Sequence, residues 1–421
     1  MSLQLSHRQF PASILHLDNG LTVIHQEVSA TPVVVVDVWV RAGSIVEPES
    51  WSGMAHFLEH MIFKGTDQIA PGVFDQLIEC QGGMTNAATS HDYAHFYITT
   101  TLPYTDTAFA LLSQILLNPK IPDEEFYRER EVVLEELRQA NDNPDWVEFT
   151  ALMEAVYGLD HPYGRPVLGT DQHLNQQSPE KMRYFHRCHY QPQNMAVVIV
   201  GGISQQQAMG LTEQAFATFP CPEAYPVLAV PLSRPQGVRR QQLTLPTVEQ
   251  TRLTLAWVGP GAEQIQEAWG LDLLSALLAE GKTSHLFRLL REELQLVYDL
   301  SSQFSLQQGS SILTISAYLE AQDLERVEAL IRNHIQELQV RPISEPELLR
   351  GQRLLCNDYA FSTETPIELA GLYGYYFAIA KPELSVAYPD QIRSVQSSQL
   401  QSLAQHYLCL DHYAAVVVKP R

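Results

Sequence analysis

VVVVDVWV (residues 33–40), followed shortly by SGMAHFLEHMIFKGT (residues 52–66), sets the reading of the chain. The first run is short and β-branched, and Asp37 interrupts it. It reads as a buried strand, because a membrane helix needs about 18 apolar residues. The second run places Met54, Phe57, Leu58, Met61, Ile62 and Phe63 around His56, Glu59 and His60. That is the pattern of a helix packed largely inside the protein. Residues four apart share a helix face, so His56 and His60 can grip one ion, with Glu59 beside the grip. Polar groups on a buried helix need partners. Zinc is one; backbone and side-chain acceptors are the ordinary alternative.

The same strand-and-helix plan occurs twice. CHYQPQNMAVVIVGG (188–202) and QHYLCLDHYAAVVVKP (405–420) each read as a helix end with a His-Tyr pair, a polar turn and a β-branched strand. FYITTTLPYTDTAFALLSQIL is echoed by ISAYLEAQDLERVEALIRNHIQEL, a strand followed by an amphipathic helix. Between the halves, residues 219–237 are proline-rich and read as an extended linker. The expected organisation is residues 1–218, the linker 219–237 and residues 238–421. Asp18-Asn19-Gly20 marks a hairpin turn, and TNAATSHDYAHFYITTT alternates like one half-exposed strand. These signals predict an α+β fold: two homologous domains, each a mainly antiparallel sheet with helices packed on one face. The second-half counterpart of the motif helix, AWGLDLLSALLAEGKTS, has no histidine, so the metal grip is expected only in the first domain.

Composition narrows the function. The 421 residues are 45% hydrophobic and carry a net charge of −21, from 27 basic and 48 acidic residues. Such a surface argues against nucleic acid as a partner. No apolar run is long enough to span a membrane, and the N-terminal segment has no targeting pattern; both predict a cytoplasmic protein. The five cysteines are scattered without a Cys-x-x-Cys pair, which excludes a disulfide framework and a cysteine zinc site. Glu280-Gly281-Lys282-Thr283 lacks the first glycine of a phosphate-binding loop.

A hydrolytic zinc site needs three protein ligands and an open position for water, whose pKa the metal lowers to about 7. Glu59 is placed to take the proton and pass it to a leaving amine. The third ligand is sought on DEEFYREREVVLEELRQ, where Glu129, Val132, Val133 and Glu136 fall on one stripe. Glu131, Glu135 and Arg138 have the spacing of a solvated face. A carboxylate on a buried stripe demands a cation or donors, and spacing alone leaves Glu129 and Glu136 equal candidates.

Taken in order, HFLEHMIFKGT, EREVVLEEL, TNAATS, HPYGRPVLGT and LFRLLREELQLVY resemble the inverted-motif zinc peptidases of the pitrilysin and mitochondrial-processing-peptidase group, across nearly the whole chain. The resemblance implies one zinc per chain on His56, His60 and Glu136, with Glu59 as general base and Glu129 supporting the site. It implies a peptide substrate bound along the TNAATS strand at Asn86 and Ala87; Ala88 stands where an aromatic residue is common, which alters that subsite. Arg291 and Tyr298 match a pair that grips the substrate carbonyl and stabilises the oxyanion. The chain supplies half of the family's four-domain chamber. A homodimer is therefore expected, with a related partner chain as the other arrangement.

The function implied is a zinc endopeptidase acting on unstructured peptides or short protein extensions. The alternative is a catalytically silent core subunit, or the inactive partner in a heterodimer. Other polar residues read as structural: His91 and His95 as a polar sheet surface with Tyr93 and Tyr97, and His186 and His189 as a repeat feature shared with His406. Asp142, Asp145 and Glu148 suit a basic substrate side chain and helix-end solvation equally.

Overall fold

In the computed structural model, residues 10–223 and 235–421 are described. The central part of the expected linker, 224–234, lies outside them. The first sheet contains β1 (Ser13–His16), β2 (Thr22–Glu27), β3 (Val33–Val40), β4 (Met84–Thr89), β5 (Ala94–Thr101) and β6 (Met195–Gly201), in the order β1-β2-β6-β3-β5-β4. The second contains β7 (Val238–Thr244), β8 (Thr251–Pro260), β9 (Val297–Leu306), β10 (Ser310–Leu319) and β11 (Tyr413–Lys419), in the order β7-β11-β8-β10-β9. The orders superimpose from β2 onward. In each sheet one pair is parallel, β2 with β6 and β7 with β11, and the others are antiparallel. The duplication is therefore one of topology, not only of sequence echo.

β3 is buried along almost its whole length, and its two-residue period divides it between two cores. Val34, Val36, Val38 and Val40 face the motif helix (Met54–Ile62) and Phe126 and Val133 of the acidic helix (Asp123–Asp142). Val35 and Trp39 face a helix from the other half, Pro366–Ile379, through Ala370, Tyr373 and Phe377. Asp37, on that same face, is 2% exposed and paired with His95 Nδ1 at 3.1 Å. The exchange is reciprocal. The first-half helix Pro144–Tyr157 packs Ala151, Leu152 and Val156 on Ala256, Ala414 and Val416 of the second sheet. Each half thus has its own helices on one face of its sheet, and a helix from the opposite half closes the other face.

Polar contacts reinforce this joint. Tyr163 donates to Asp92 at 2.7 Å, and Asp92 also accepts from Gln308 N at 3.0 Å. Arg41 Nη2 donates to Phe377 O at 2.7 Å. All these groups are at least partly buried, so the unmade bond would cost more than the made bond gains.

Two local expectations are corrected. TNAATSHDYAHFYITTT is a hairpin rather than one strand: Ser90 N bonds Tyr93 O at 2.8 Å to close the turn between β4 and β5. The polar turn residues are buried against tertiary partners, with His91 Nε2 3.3 Å from Arg165 O, so the turn looked like continued alternation. His91 consequently does not share the face of His95 and Tyr97. Val132 is 49% exposed and not on the buried stripe, which runs through Phe126, Glu129, Val133 and Leu137.

At Gly374 a Cβ would stand 2.0 Å from Trp39 Nε1, so only glycine lets the exchanged helix seat on β3. Gly374→Ala is expected to lower stability by about 1–3 kcal/mol, as overpacking does, although alanine favours a helix by about 1 kcal/mol. Urea denaturation checks this.

Candidate metal centre

The motif helix is seated by buried groups at its start. Gly53 precedes it with φ +90°, and a Cβ there would meet Leu168 O at 2.8 Å, so HPYGRPVLGT and the motif pack backbone to backbone. Glu47, 1% exposed, accepts hydrogen bonds from Gly53 N at 2.9 Å and Ala55 N at 2.6 Å. These occupy N–H groups that the first turn leaves open. Burial raises the Glu47 carboxyl to about 8, against the pull of those bonds.

One turn apart on this helix, the His56 and His60 rings lie 4.9 Å apart between centroids. Glu136 arrives from the acidic helix, its Oε2 3.7 Å from His56 Nε2 and 3.3 Å from His60 Nε2. One donor atom from each of these three residues falls within 4.8 Å of the others. Ligands about 2.0–2.2 Å from a tetrahedral zinc stand roughly 3.3–3.5 Å apart, so the trio fits that ion after shifts of a few tenths of an ångström.

Glu129 fixes the orientation. Its Oε1 is 3.0 Å from His60 Nδ1, which turns Nε2 toward Glu136, and its Oε2 accepts from Lys64 Nζ at 2.6 Å. This is the outer-carboxylate arrangement that sets a ligand histidine's tautomer. Burial pushes the Glu129 carboxyl up, but the bonds from His60 and Lys64 outweigh it and hold the group below its ordinary range. His60 behaves in the complementary way. Burial opposes its charge, yet the hydrogen bonds to Glu129 and Glu136 take it up to about 9. His56 is lowered to about 4 by burial and then by the His60 charge. Two facing carboxylates thus demand one positive charge at the centre.

Glu59 lies beside the trio. Its Oε2 accepts from the Thr89 hydroxyl at the end of β4. Burial raises its carboxyl above the ordinary value, while Thr89 and His60 pull it down. β4 has a neighbour on one side only, so its outer edge is unpaired by any described strand. Asn86 and Ala87 lie on that edge strand, where Asn86 Oδ1 accepts Ala87 N–H at 2.9 Å.

The structure therefore brings together His56, Glu59, His60, Glu129 and Glu136, and it adds Lys64 and Thr89. Their signal was weak in sequence, because an ordinary lysine and threonine gain meaning only from a partner 65 and 30 residues away. Arg291 and Tyr298 form a pair of their own: Arg291 Nε donates to Tyr298 O at 2.7 Å, and the Tyr298 hydroxyl donates to Glu320. No printed contact among the described residues ties them to the first-half centre. Of the acidic trio, Asp145 and Glu148 pair with Arg252, and Glu148 also accepts from Thr254, so they serve the joint between the halves. Asp142 is exposed. His186 is buried, with Nε2 2.7 Å from Leu116 O, a structural role.

A two-histidine, one-carboxylate centre on a duplicated α+β chain defines a class of metallopeptidase fold, and comparison with known proteins agrees. Residues 22–171 match the insulinase family, peptidase family M16, and residues 177–355 match the M16 inactive domain. The chain belongs to the M16 family and contains both its N-terminal and C-terminal domains. It is 28% identical over 411 residues to the zinc protease PqqE of Helicobacter pylori, covering 96% of this chain and 92% of that protein. It is 25% identical over 405 residues to YmxG of Bacillus subtilis, described as an uncharacterized zinc protease, covering 96% and 97%. The crystal structure of a protease from Helicobacter pylori aligns with a TM-score of 0.89 at 26% identity, over 97% of this chain and 99% of that one. An M16 inactive-domain structure from Pseudomonas fluorescens shares the fold, with a TM-score of 0.87 at 20% identity over 98% and 99%. Among the described residues no helix is long and apolar enough to cross a membrane.

Removing the outer carboxylate's charge without its shape, Glu129→Gln, is expected to weaken zinc binding about 10–100-fold while the fold persists. Competition against a chelating dye measures it.

Proposed function

We propose that this chain is a zinc-dependent endopeptidase, with zinc held by His56, His60 and Glu136. The observation that carries the reading is the convergence of these three donors with Glu59 alongside, next to an edge strand. Bound zinc supplies Lewis acidity and makes water acidic near neutral pH. Glu59 takes the proton from the attacking water and gives it to the leaving amine. Thr89 holds the Glu59 carboxylate by its Oε2, leaving Oε1 for that transfer. A peptide adds to β4 as a further strand through main-chain hydrogen bonds, with Asn86 and Ala87 in the contact. Only an extended, unfolded segment can pair in this way, which selects unstructured peptides and short protein extensions.

Arg291 and Tyr298 are proposed to bind the substrate carbonyl. Their printed contacts are all within the second half, which supports action on the centre of another copy. A homodimer would then complete two equivalent chambers, each chain divided at residues 219–237 into a zinc-bearing and a carbonyl-binding domain. A related partner chain is the other arrangement consistent with this reading. A catalytically silent subunit is the second reading, favoured by the inactive-domain description of residues 177–355.

Glu59→Gln separates the two readings. The expected result is retained zinc and cleavage of an unstructured peptide mixture reduced by at least about 100-fold, the lower range for a general base. A wild-type protein that holds zinc and cuts nothing supports the silent subunit. Sedimentation is expected to give a dimer, and an active monomer would defeat the shared-chamber proposal.

A further inference from the structure

A second line of imidazoles and carboxylates crosses the second half, away from the motif. His285 stands just before the helical turn Phe287–Glu293, and His334 lies on the helix Leu324–Val340. Glu347 lies in the first turn of the helix Glu345–Phe361. His285 Nδ1 and His334 Nε2 face each other at 3.0 Å. Their outer nitrogens face acids: His285 Nε2 is 3.2 Å from Glu347 Oε1, and His334 Nδ1 is 3.8 Å from Glu337 Oε2. The histidine side chains are 13% and 16% exposed and line a surface recess of about 330 Å³ that Arg288, Glu293 and Arg341 also border. Glu347 is positioned independently of the rings, because its Oε2 accepts from Ser344 N at 3.2 Å and from the Ser344 hydroxyl.

The row Glu347–His285–His334–Glu337 has three gaps, and each places lone pairs opposite one another unless a proton or cation lies between them. Two neutral imidazoles carry one N–H each and fill two gaps. Whichever tautomers are chosen, one gap stays unfilled. His285 Nε2 shows the strain of this count: it is buried and makes no hydrogen bond of proper geometry, despite the nearby Glu347. The deficit is one positive charge, supplied by a third proton or by a metal ion. Burial lowers His285 from its ordinary value and lowers His334 to about 4, which disfavours the proton at neutral pH. A metal in the central gap resolves the count, since each ring then turns its N–H outward to its acid. Two nitrogens about 2.0–2.1 Å from a tetrahedral zinc stand roughly 3.3 Å apart. The observed 3.0 Å separation is within a few tenths of an ångström of that.

We propose that His285 and His334 form a second metal site for an imidazole-preferring divalent ion such as zinc, with Glu347 and Glu337 orienting the rings and water completing the shell. The ion ties the helix Leu324–Val340 to the start of the turn that carries Arg291. The site does not depend on the motif centre or on peptidase activity.

The test is zinc stoichiometry, measured by equilibrium dialysis and elemental analysis on the full chain. The double variant His56→Ala/His60→Ala removes the motif centre and is expected to retain one zinc per chain. Adding His334→Gln should take it to none, while the wild type holds two. Glu347→Gln leaves both rings in place and should weaken the retained site about 10–100-fold, so the proposal stays testable if His334→Gln does not fold. Zinc absent from the double variant, or a count and affinity unmoved by both further substitutions, overturns the site.

Discussion

A carboxylate turned toward a protein interior must meet a positive charge or a set of donors. Everything at the candidate centre follows from that requirement applied twice on one helix. Glu129, with a side chain 9% exposed, and Glu136, at 44%, both point at His60. The ring between them takes one acid on each nitrogen, so one edge is committed to support and the other to the centre. His56 adds a second nitrogen whose own charge burial forbids. The arrangement is therefore short of one cation, and a divalent ion supplies it while leaving both rings neutral.

The same helix connects chemistry to architecture. The acidic helix ends at Asp142, and after Asn143 the chain enters the helix that seals the second sheet. Asp145 and Glu148 pin that crossing to Arg252 of β8. A displacement of one half against the other is thus transmitted toward Glu136 through one rigid run of backbone. The reciprocal helix Pro366–Ile379, seated on Trp39 and Val35, resists such displacement by closing the first sheet with apolar surface. Two copies of one fold exchange a layer, and neither sheet is left with an open apolar face.

Much of this was legible in residue order. β3 and the motif helix declared themselves because an unbroken β-branched run and a helical apolar stripe are local patterns, and the strand–helix echoes disclosed the repeat. The choice between Glu129 and Glu136 was not available from spacing, because both lie toward the buried side and only the resemblance separated them. Val132 misled because a stripe four residues wide on paper wraps too far around the cylinder: at about 100° per residue it falls beyond Glu136. The β4–β5 turn was hidden because His91 and Asp92 are buried by residues from other segments. Glu47, Lys64 and Thr89 escaped for the same reason, since their roles are defined by contacts. The layer exchange was illegible too, as the helices Pro144–Tyr157 and Pro366–Ile379 bear no mark of which sheet they cover.

The most direct measurement is anomalous diffraction at the zinc edge from crystals of the purified protein. The expected result is a strong peak about 2.0–2.2 Å from one nitrogen each of His56 and His60 and from a Glu136 oxygen. A structure with full zinc available but no peak there, and with Glu136 turned away from both rings, contradicts the account.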